Sequence, residues 1–375
     1  MSEPPETEPI PLALPDLGER EEELALQVLR SGRLSLGPVV ESFEADFAAW
    51  LGVGDAVAVS SGTAALHLGV RALGWGAGDE VLTSPFSFVA SANCLLYEGA
   101  RPVFCDVDPE SLDLDPEAAA AAVTERTAGI LPIHIFGYPA AMPELEAVAS
   151  RAGLGLLEDA CEALGAVDSE GRRVGGRGNP AAFAFYANKQ MTTGEGGMLV
   201  PSSPEVAARL RSERNQGRAP DMGWLDHAGL GYNYRLSELA AALGVAQLEK
   251  LDRMLERRAA VAALYEQGLT ALDGLRTPSP GRGSERRSWF VYPVRLPAGA
   301  DRDAAIAHLA GRGVASKAYL PCIHLFPHLR ALGYGEGQFP VAEAASAQSL
   351  ALPFFPAMTE AQVSRVCESL ADFLR

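Results

Sequence analysis

Three short segments carry residue types that could do chemistry together. Residues 60–63 read Ser-Ser-Gly-Thr between an apolar strand and a helix. Free N–H groups and the positive end of a helix dipole would hold an anion there, and Gly62 would let a phosphate approach the backbone. The Thr63 hydroxyl could add a hydrogen bond. The same residues also suit an ordinary Ser/Thr helix cap. Asp159 closes a second apolar strand, in LLEDACEALGA. A carboxylate facing a cofactor ring would keep a pyridinium nitrogen protonated, which makes such a ring an electron sink. Asp159 would equally cap a following helix. Lys189 lies thirty residues on, in FAFYANKQMTTGEGG. A desolvated ammonium between apolar strands is costly unless it is paired or converted, and a primary amine is what forms an imine with a carbonyl. An exposed loop lysine is the plain alternative. Each signal alone is weak, and their order and spacing carry the argument.

These residues need elements that hold them at one edge. Apolar runs predict strands at 56–60, 80–83, 102–105, 129–134, 155–158, 182–186 and 197–200. Amphipathic spacing predicts helices at 19–30, 39–51, 63–73, 88–97, 115–123 and 142–152. Strand–helix alternation with apolar strands implies an α/β fold: a mostly parallel, seven-stranded sheet covered by helices on both faces. Ligands in such sheets bind at the carboxyl ends of the strands, where residues 60–63, Asp159 and Lys189 all fall. One long helical stretch is expected from Leu236 to about Leu269. Beyond it, strands at 289–296 and 314–320 and helices at 303–312, 341–349 and 359–373 predict a smaller α/β domain. The expected division is a flexible, acidic, Pro-rich lead-in over 1–15, a large domain over 16–250 and a small C-terminal domain over 251–375.

The 375 residues carry a net charge of −17, with 48% hydrophobic and 21% charged residues. A chain this acidic is a poor partner for nucleic acid or anionic membrane, both of which reward Lys/Arg patches. The five cysteines are widely spaced with no C-x-x-C pair, which predicts reduced thiols rather than disulfides or zinc. No signal-peptide pattern and no bilayer-length apolar run stand out, so the expected location is the cytoplasm. No metal site is predicted. Pro327 interrupts any helix that would align His324 with His328, and Asp106 and Asp108 read as turn residues. No G-x-G-x-x-G opens a helix, which counts against a nicotinamide cofactor.

The segments SGRLSLGP, SSGTAALHL, SFVASANCLL, IHIFGYP, EDACEALGA, FYANKQMTTGEGG, RNQGR, LGYNYRLSELAAALG and YLPCIHLFPH occur in this order. On them the chain resembles the sugar aminotransferases often called DegT/DnrJ/EryC1/StrS, within the fold-type I enzymes that use pyridoxal 5′-phosphate. The resemblance runs from about residue 10 to the C-terminus. It implies that Gly62 and Thr63 hold the cofactor phosphate, Phe88 stacks on the ring, and Asp159 pairs with the ring nitrogen. Lys189 would bond to the cofactor as a Schiff base and later move a proton. Glu162 would sit beside the ring, where relatives often have Gln or His. Asn233 would reach the phosphate from the neighbouring subunit of a homodimer. His324, Arg33 and Arg218 are the candidates for the substrate end. Ala184 departs from the family, many of whose members have a phosphate-binding Ser five residues before the lysine. The implied reaction moves an amino group from glutamate to a keto sugar by a ping-pong mechanism. A nucleotide-linked 4-keto-6-deoxy hexose is the preferred acceptor, in amino-sugar and polysaccharide biosynthesis. A cyclitol aminotransferase, a sugar dehydratase and a non-catalytic cofactor-binding sensor are the rivals. Lys189 speaks against the dehydratase, whose members carry His instead.

Overall fold

The computed structural model describes residues 8–219 and 226–375. Two helices, α1 (Glu19–Ser31) and α2 (Pro38–Leu51), lead into the alternating region. That region runs β1 (Val57–Val59), α3 (Gly62–Leu73), β2 (Glu80–Thr83), α4 (Ala90–Tyr97), β3 (Arg101–Phe104), α5 (Pro116–Ala121) and β4 (Thr127–Leu131). It continues through α6 (Met142–Ala152), β5 (Gly155–Leu156), β6 (Glu158–Asp159), β7 (Ala181–Ala184), β8 (Gly197–Val200) and α7 (Pro204–Glu213).

Strands β3, β2, β4 and β5 pair in parallel in that order, while β1, β8, β7 and β6 form a second run in which β8 is antiparallel to both neighbours. The two runs are one sheet. Leu157 N–H donates to Ile130 O at 3.1 Å, Asp159 N–H to Pro132 O at 2.9 Å, and His134 N–H to Asp159 O at 3.0 Å. Residues 155–159 therefore act as one strand with an irregularity at Leu157. The sheet has seven strands, in the order β1, β8, β7, β6/β5, β4, β2, β3. Strands β1, β2 and β8 are buried along their whole length, which is why they do not alternate between apolar and polar residues.

The expected long helix after Leu236 is two helices, α8 (Glu238–Glu249) and α9 (Leu251–Leu269). The chain leaves helical geometry at Lys250 (φ −116°, ψ 7°). There the Lys250 ammonium reaches Asp16 O at 2.8 Å and Glu21 Oε1 at 2.9 Å. The bend lets α9 serve two cores. Leu251 and Met254 join the apolar cluster of Phe43, Phe47 and Phe183, whereas Val261, Tyr265 and Leu269 join the cluster around Tyr292 and Phe354.

That second cluster belongs to a three-stranded antiparallel sheet, β10–β11–β9, built from β9 (Tyr292–Arg295), β10 (Lys317–Ala318) and β11 (Ser349–Leu352). Helices α10 (Arg302–Gly311), α11 (Pro327–Arg330), α12 (Pro340–Gln348) and α13 (Glu360–Leu374) accompany it. The strand expected over 314–320 shrinks to β10, because Val314 pairs instead with Ile10. This also corrects the expected flexible lead-in for residues 8–15; residues 1–7 lie outside the described residues. Ile10 is buried and exchanges hydrogen bonds with Gly313 and Ala315, and Leu12 O accepts from Phe354 N–H.

Candidate active site

A cavity of about 460 Å³ opens at the carboxyl ends of the parallel strands. Five connections reach it: 61–63 after β1, 87–91 after β2, Ile133 after β4, 159–162 after β6, and 184–189 after β7. Glu195 and Gly196, just before the antiparallel β8, complete that end.

Helix α3 starts at the cavity. The Ser61 hydroxyl accepts from Ala64 N–H at 3.1 Å and Ser61 O from Ala65 N–H at 3.0 Å. That leaves the N–H groups of Gly62 and Thr63, which a helix start cannot satisfy internally, beside the cavity. Gly62 also packs on the floor of the site. A Cβ at this position would lie 2.6 Å from Ala184 Cβ and 3.0 Å from Cys161 Sγ. Only glycine lets the helix end come this close to β7.

Asp159 is buried, and both of its oxygens are engaged. Ser91 Oγ donates to Oδ2 at 2.6 Å and Cys161 N–H to Oδ1 at 3.1 Å; Ser87 and Ser91 share a hydrogen bond of 2.8 Å. These bonds fix the plane of the carboxylate. The cavity's ammonium pairs elsewhere, so Asp159 has no ion-pair partner among the described residues. A buried carboxylate without a cation is what a protonated ring nitrogen would complete.

Lys189 follows β7 on a turn closed by its N–H to Tyr186 O at 3.0 Å. Its Nζ lies 3.5 Å from Glu162 Oε1 and 3.9 Å from the centre of the Phe290 ring. The other Glu162 oxygen accepts from Phe136 N–H at 3.0 Å. Burial pushes the Glu162 carboxyl above its ordinary pKa, and the Lys189 charge pulls it back. Two buried side chains hold this trio together. Arg258 on α9 donates to Lys189 O at 3.1 Å, Trp289 O at 3.1 Å and Phe290 O at 3.2 Å. Gln190 donates to Glu162 O at 2.5 Å and Ser288 Oγ at 2.9 Å. The backbone of Lys189 is thus fixed to the segment that carries Phe290.

The structure brings Gly62, Thr63, Phe88, Asp159, Glu162 and Lys189 to one cavity. It does not bring the rest. Asn233 and Arg33 are exposed and lie outside this chain's own cavity, and Arg33 donates to Leu36 O. Arg218 lines a separate groove with Arg211 and Arg214. His324 is corrected as a substrate residue. It is wholly buried against Phe104 and Phe339, 3.3 Å from Glu343, and burial lowers its pKa. From the same segment it is Tyr319 that lines the cavity. Ser87, Ser91, Tyr186 and Tyr319 were not anticipated. The serines were visible in FSFVASAN, but nothing there marks a serine as a partner of Asp159. Asp106 proves to be a helix cap: its oxygens accept from Val341 and Ala342 N–H, at 3.0 and 2.9 Å, at the start of α12.

The arrangement suits pyridoxal phosphate. An open helix start fits its phosphate, a lone buried carboxylate its ring nitrogen, a primary amine its aldehyde, and the half-uncovered Phe88 ring (60% exposed) its flat face. Fold and site together define a fold-type I, pyridoxal-phosphate-dependent enzyme. The model of the DegT/DnrJ/EryC1/StrS aminotransferase family matches residues 15–371. The chain is 36% identical over 368 residues to the GDP-perosamine synthase of Caulobacter vibrioides, covering 97% of this chain and 98% of that one. It is 38% identical over 349 residues to the dTDP-3-amino-3,4,6-trideoxy-alpha-D-glucose transaminase of Streptomyces venezuelae, covering 92% and 90%. The crystal structure of S. venezuelae DesV in complex with a ketimine intermediate superposes with a TM-score of 0.93 at 36% identity, covering 98% and 99%. The chain belongs to the DegT/DnrJ/EryC1/StrS aminotransferase family, and it is a pyridoxal-phosphate-dependent aminotransferase acting on keto sugars.

Proposed function

We propose that the enzyme takes the amino group of glutamate and delivers it to a nucleotide-linked 4-keto-6-deoxy hexose. The observation that carries this reading is the convergence of Lys189, Asp159 and the open start of α3 on one cavity, together with relatives whose names specify nucleotide-linked amino sugars. When bound, pyridoxal phosphate supplies an electron sink that makes the hydrogen on the amine-bearing carbon removable. Lys189 Nζ is the group placed to carry that proton, and Glu162 beside it stabilises the resulting ammonium. Asp159, fixed by Ser91 and Cys161 N–H, holds the ring N–H. Gly62 and Thr63 hold the phosphate, and Phe88 covers the ring. Residues 16–250 act as the cofactor-binding domain and 251–375 as the smaller domain that contributes Tyr319 and Phe290.

The charge balance of the cavity supports a homodimer. Among its described lining residues Lys189 is the single cation, against three carboxylates, Asp159, Glu162 and Glu195. Anionic substrates need more positive charge than this. Asn233, Arg33 and Arg218 lie outside their own chain's cavity, and we assign them to the cavity of a second copy. Among the described residues no helix is long and apolar enough to cross a membrane, and the cysteines are free. Both fit the cytoplasmic location we propose.

The test is an assay of the holoenzyme with glutamate and a panel of acceptors. We expect visible absorption that glutamate bleaches, and 2-oxoglutarate release coupled to nucleotide-linked 4-keto-6-deoxy sugars. A higher kcat/KM with free keto sugars or keto-cyclitols would overturn the acceptor assignment.

A further inference from the structure

A second polar cavity lies away from the active site, between the loop at 108–112 and the C-terminal sheet. It measures about 20 Å³ and is lined by Arg276, Arg287, Arg295 and Ser349 together with Glu110 and Ser111. Its donors are poorly served. Arg287 is 7% exposed, and its Nε and Nη1 have no hydrogen-bond partner among the described residues. It rests between the rings of Tyr138 and Trp289, 5.0 and 5.3 Å from their centres. Ser349 Oγ is fully buried and also without a partner. Arg276 and Arg295 sit directly opposite each other across an antiparallel bridge, exchanging N–H···O bonds of 2.9 Å each way. Like charges directly opposite are destabilising. None of the three guanidiniums forms an ion pair among the described residues; Arg295 donates to Pro109 O at 2.7 Å.

The carboxylates nearby are already engaged. Asp108 accepts from Glu110 N–H, Ser111 N–H and Ser111 Oγ, at 2.9, 2.8 and 3.0 Å. Asp113 accepts from Ser111 Oγ at 2.5 Å, and burial pushes its pKa up to about 7. Glu110 pairs with Arg282. Burial lowers Arg287 to about 10, and burial together with Arg276 lowers Arg295. Positive charge is therefore crowded here: Asp113 acts on Arg287, and Asp108 and Glu110 on Arg295, only from a distance, without an ion pair among the described residues.

The size admits one small particle, since a water needs about 10–15 Å³ of such space. The chemistry chooses between water and an anion. A water here would have to turn its own hydrogens to Glu110, already paired with Arg282, or to Ser111, because the three guanidinium groups only donate. A halide accepts from all of them. We propose that this cavity is a chloride site, in which one ion held by Arg276, Arg287, Arg295 and Ser349 Oγ ties the 108–112 loop to the C-terminal sheet.

The experiment uses the holoenzyme in potassium gluconate, titrated with potassium chloride or bromide at constant ionic strength. We expect a saturable rise in Tm with either halide, and one anomalous bromide peak between the three arginines in crystals grown with bromide. Arg287→Met should abolish the halide-dependent rise. Arg276→Gln, at an exposed position that folding tolerates, should weaken the halide Kd by about fivefold, as expected for a partly exposed charge contact. The same Tm in gluconate and halide, or a halide effect that Arg276→Gln leaves unchanged, would overturn the proposal.

Discussion

Helices α2 and α3 both begin at a turn beside the sheet, but their first N–H groups are treated in opposite ways. At α2 the carboxylate of Glu238, itself buried at the start of α8, accepts from Gly37, Val39 and Val40 N–H at 3.0, 2.9 and 3.3 Å. Pro38 has no N–H to offer, so the end is closed. Asp106 closes α12 in the same manner. At α3 the cap is local, from Ser61, and among the described residues the Gly62 and Thr63 N–H groups stay open. A carboxylate at a helix start is stabilised by the dipole and by charge-assisted bonds. The fold uses that stabilisation at two helix starts that line no part of the active-site cavity, and withholds it at α3, whose start does line it. An unfilled helix start is therefore informative here because filled ones stand beside it in the same chain.

That contrast can be broken or sharpened by substitution. Lys189→Ala should have the largest effect, lowering turnover by about 10³-fold or more, as losses of a principal proton-transfer group do. Steady-state kinetics would read it; near-normal turnover would remove Lys189 from the chemistry. Next, Gly62→Ala should weaken pyridoxal phosphate binding by roughly tenfold to a hundredfold, because the clash with Ala184 lifts the start of α3 and misaligns its donors. Equilibrium binding to the apoprotein measures this, and unchanged affinity would show that the phosphate does not depend on that helix end. The counterpart is Glu238→Ala, which should cost about 2 kcal/mol of stability through lost charge-assisted bonds and leave cofactor affinity alone. Urea unfolding and the same binding assay separate the two outcomes. If Glu238→Ala impaired binding as much as Gly62→Ala, the two helix starts would not be functionally distinct. The smallest effect is pH-dependent. Asp113 has a folded pKa near 7, above its unfolded value, so its contribution is complete at acid pH and is lost as pH rises through 7. Between pH 6 and 8 the wild type should lose about 1 kcal/mol relative to Asp113→Asn. Parallel urea curves for the two proteins would refute this.

Much of the site was legible because it is local. The runs around Gly62, Asp159 and Lys189 each place their chemistry at the end of one strand, and strand ends follow from apolar patterning. What stayed hidden depends on distant partners. The break at Lys250 is made by Asp16 and Glu21, more than two hundred residues earlier. β11 was masked because the apolar pattern of α12 runs straight into it. His324 and Tyr319 occupy one short segment, and which of them faces the cavity depends on how Phe104 and Phe339 close around the histidine. Ser91 has no local mark that distinguishes it from Ser87 or Ser60. The acidic, Pro-rich composition before Asp16 concealed Ile10, whose partners are more than three hundred residues away.

The burial of Ile10 bears on the order of synthesis. It is translated more than three hundred residues before its partners Gly313, Val314 and Ala315. The C-terminal core that holds it also draws on Val363, Val366 and Leu370 of α13. During translation the alternating sheet can close behind the ribosome while this segment waits unpaired, and the second core forms once both distant stretches are available. Its assembly therefore waits until α13 has been made, and a nascent chain stalled near residue 300 should present an accessible Ile10 to a protease that the finished protein resists.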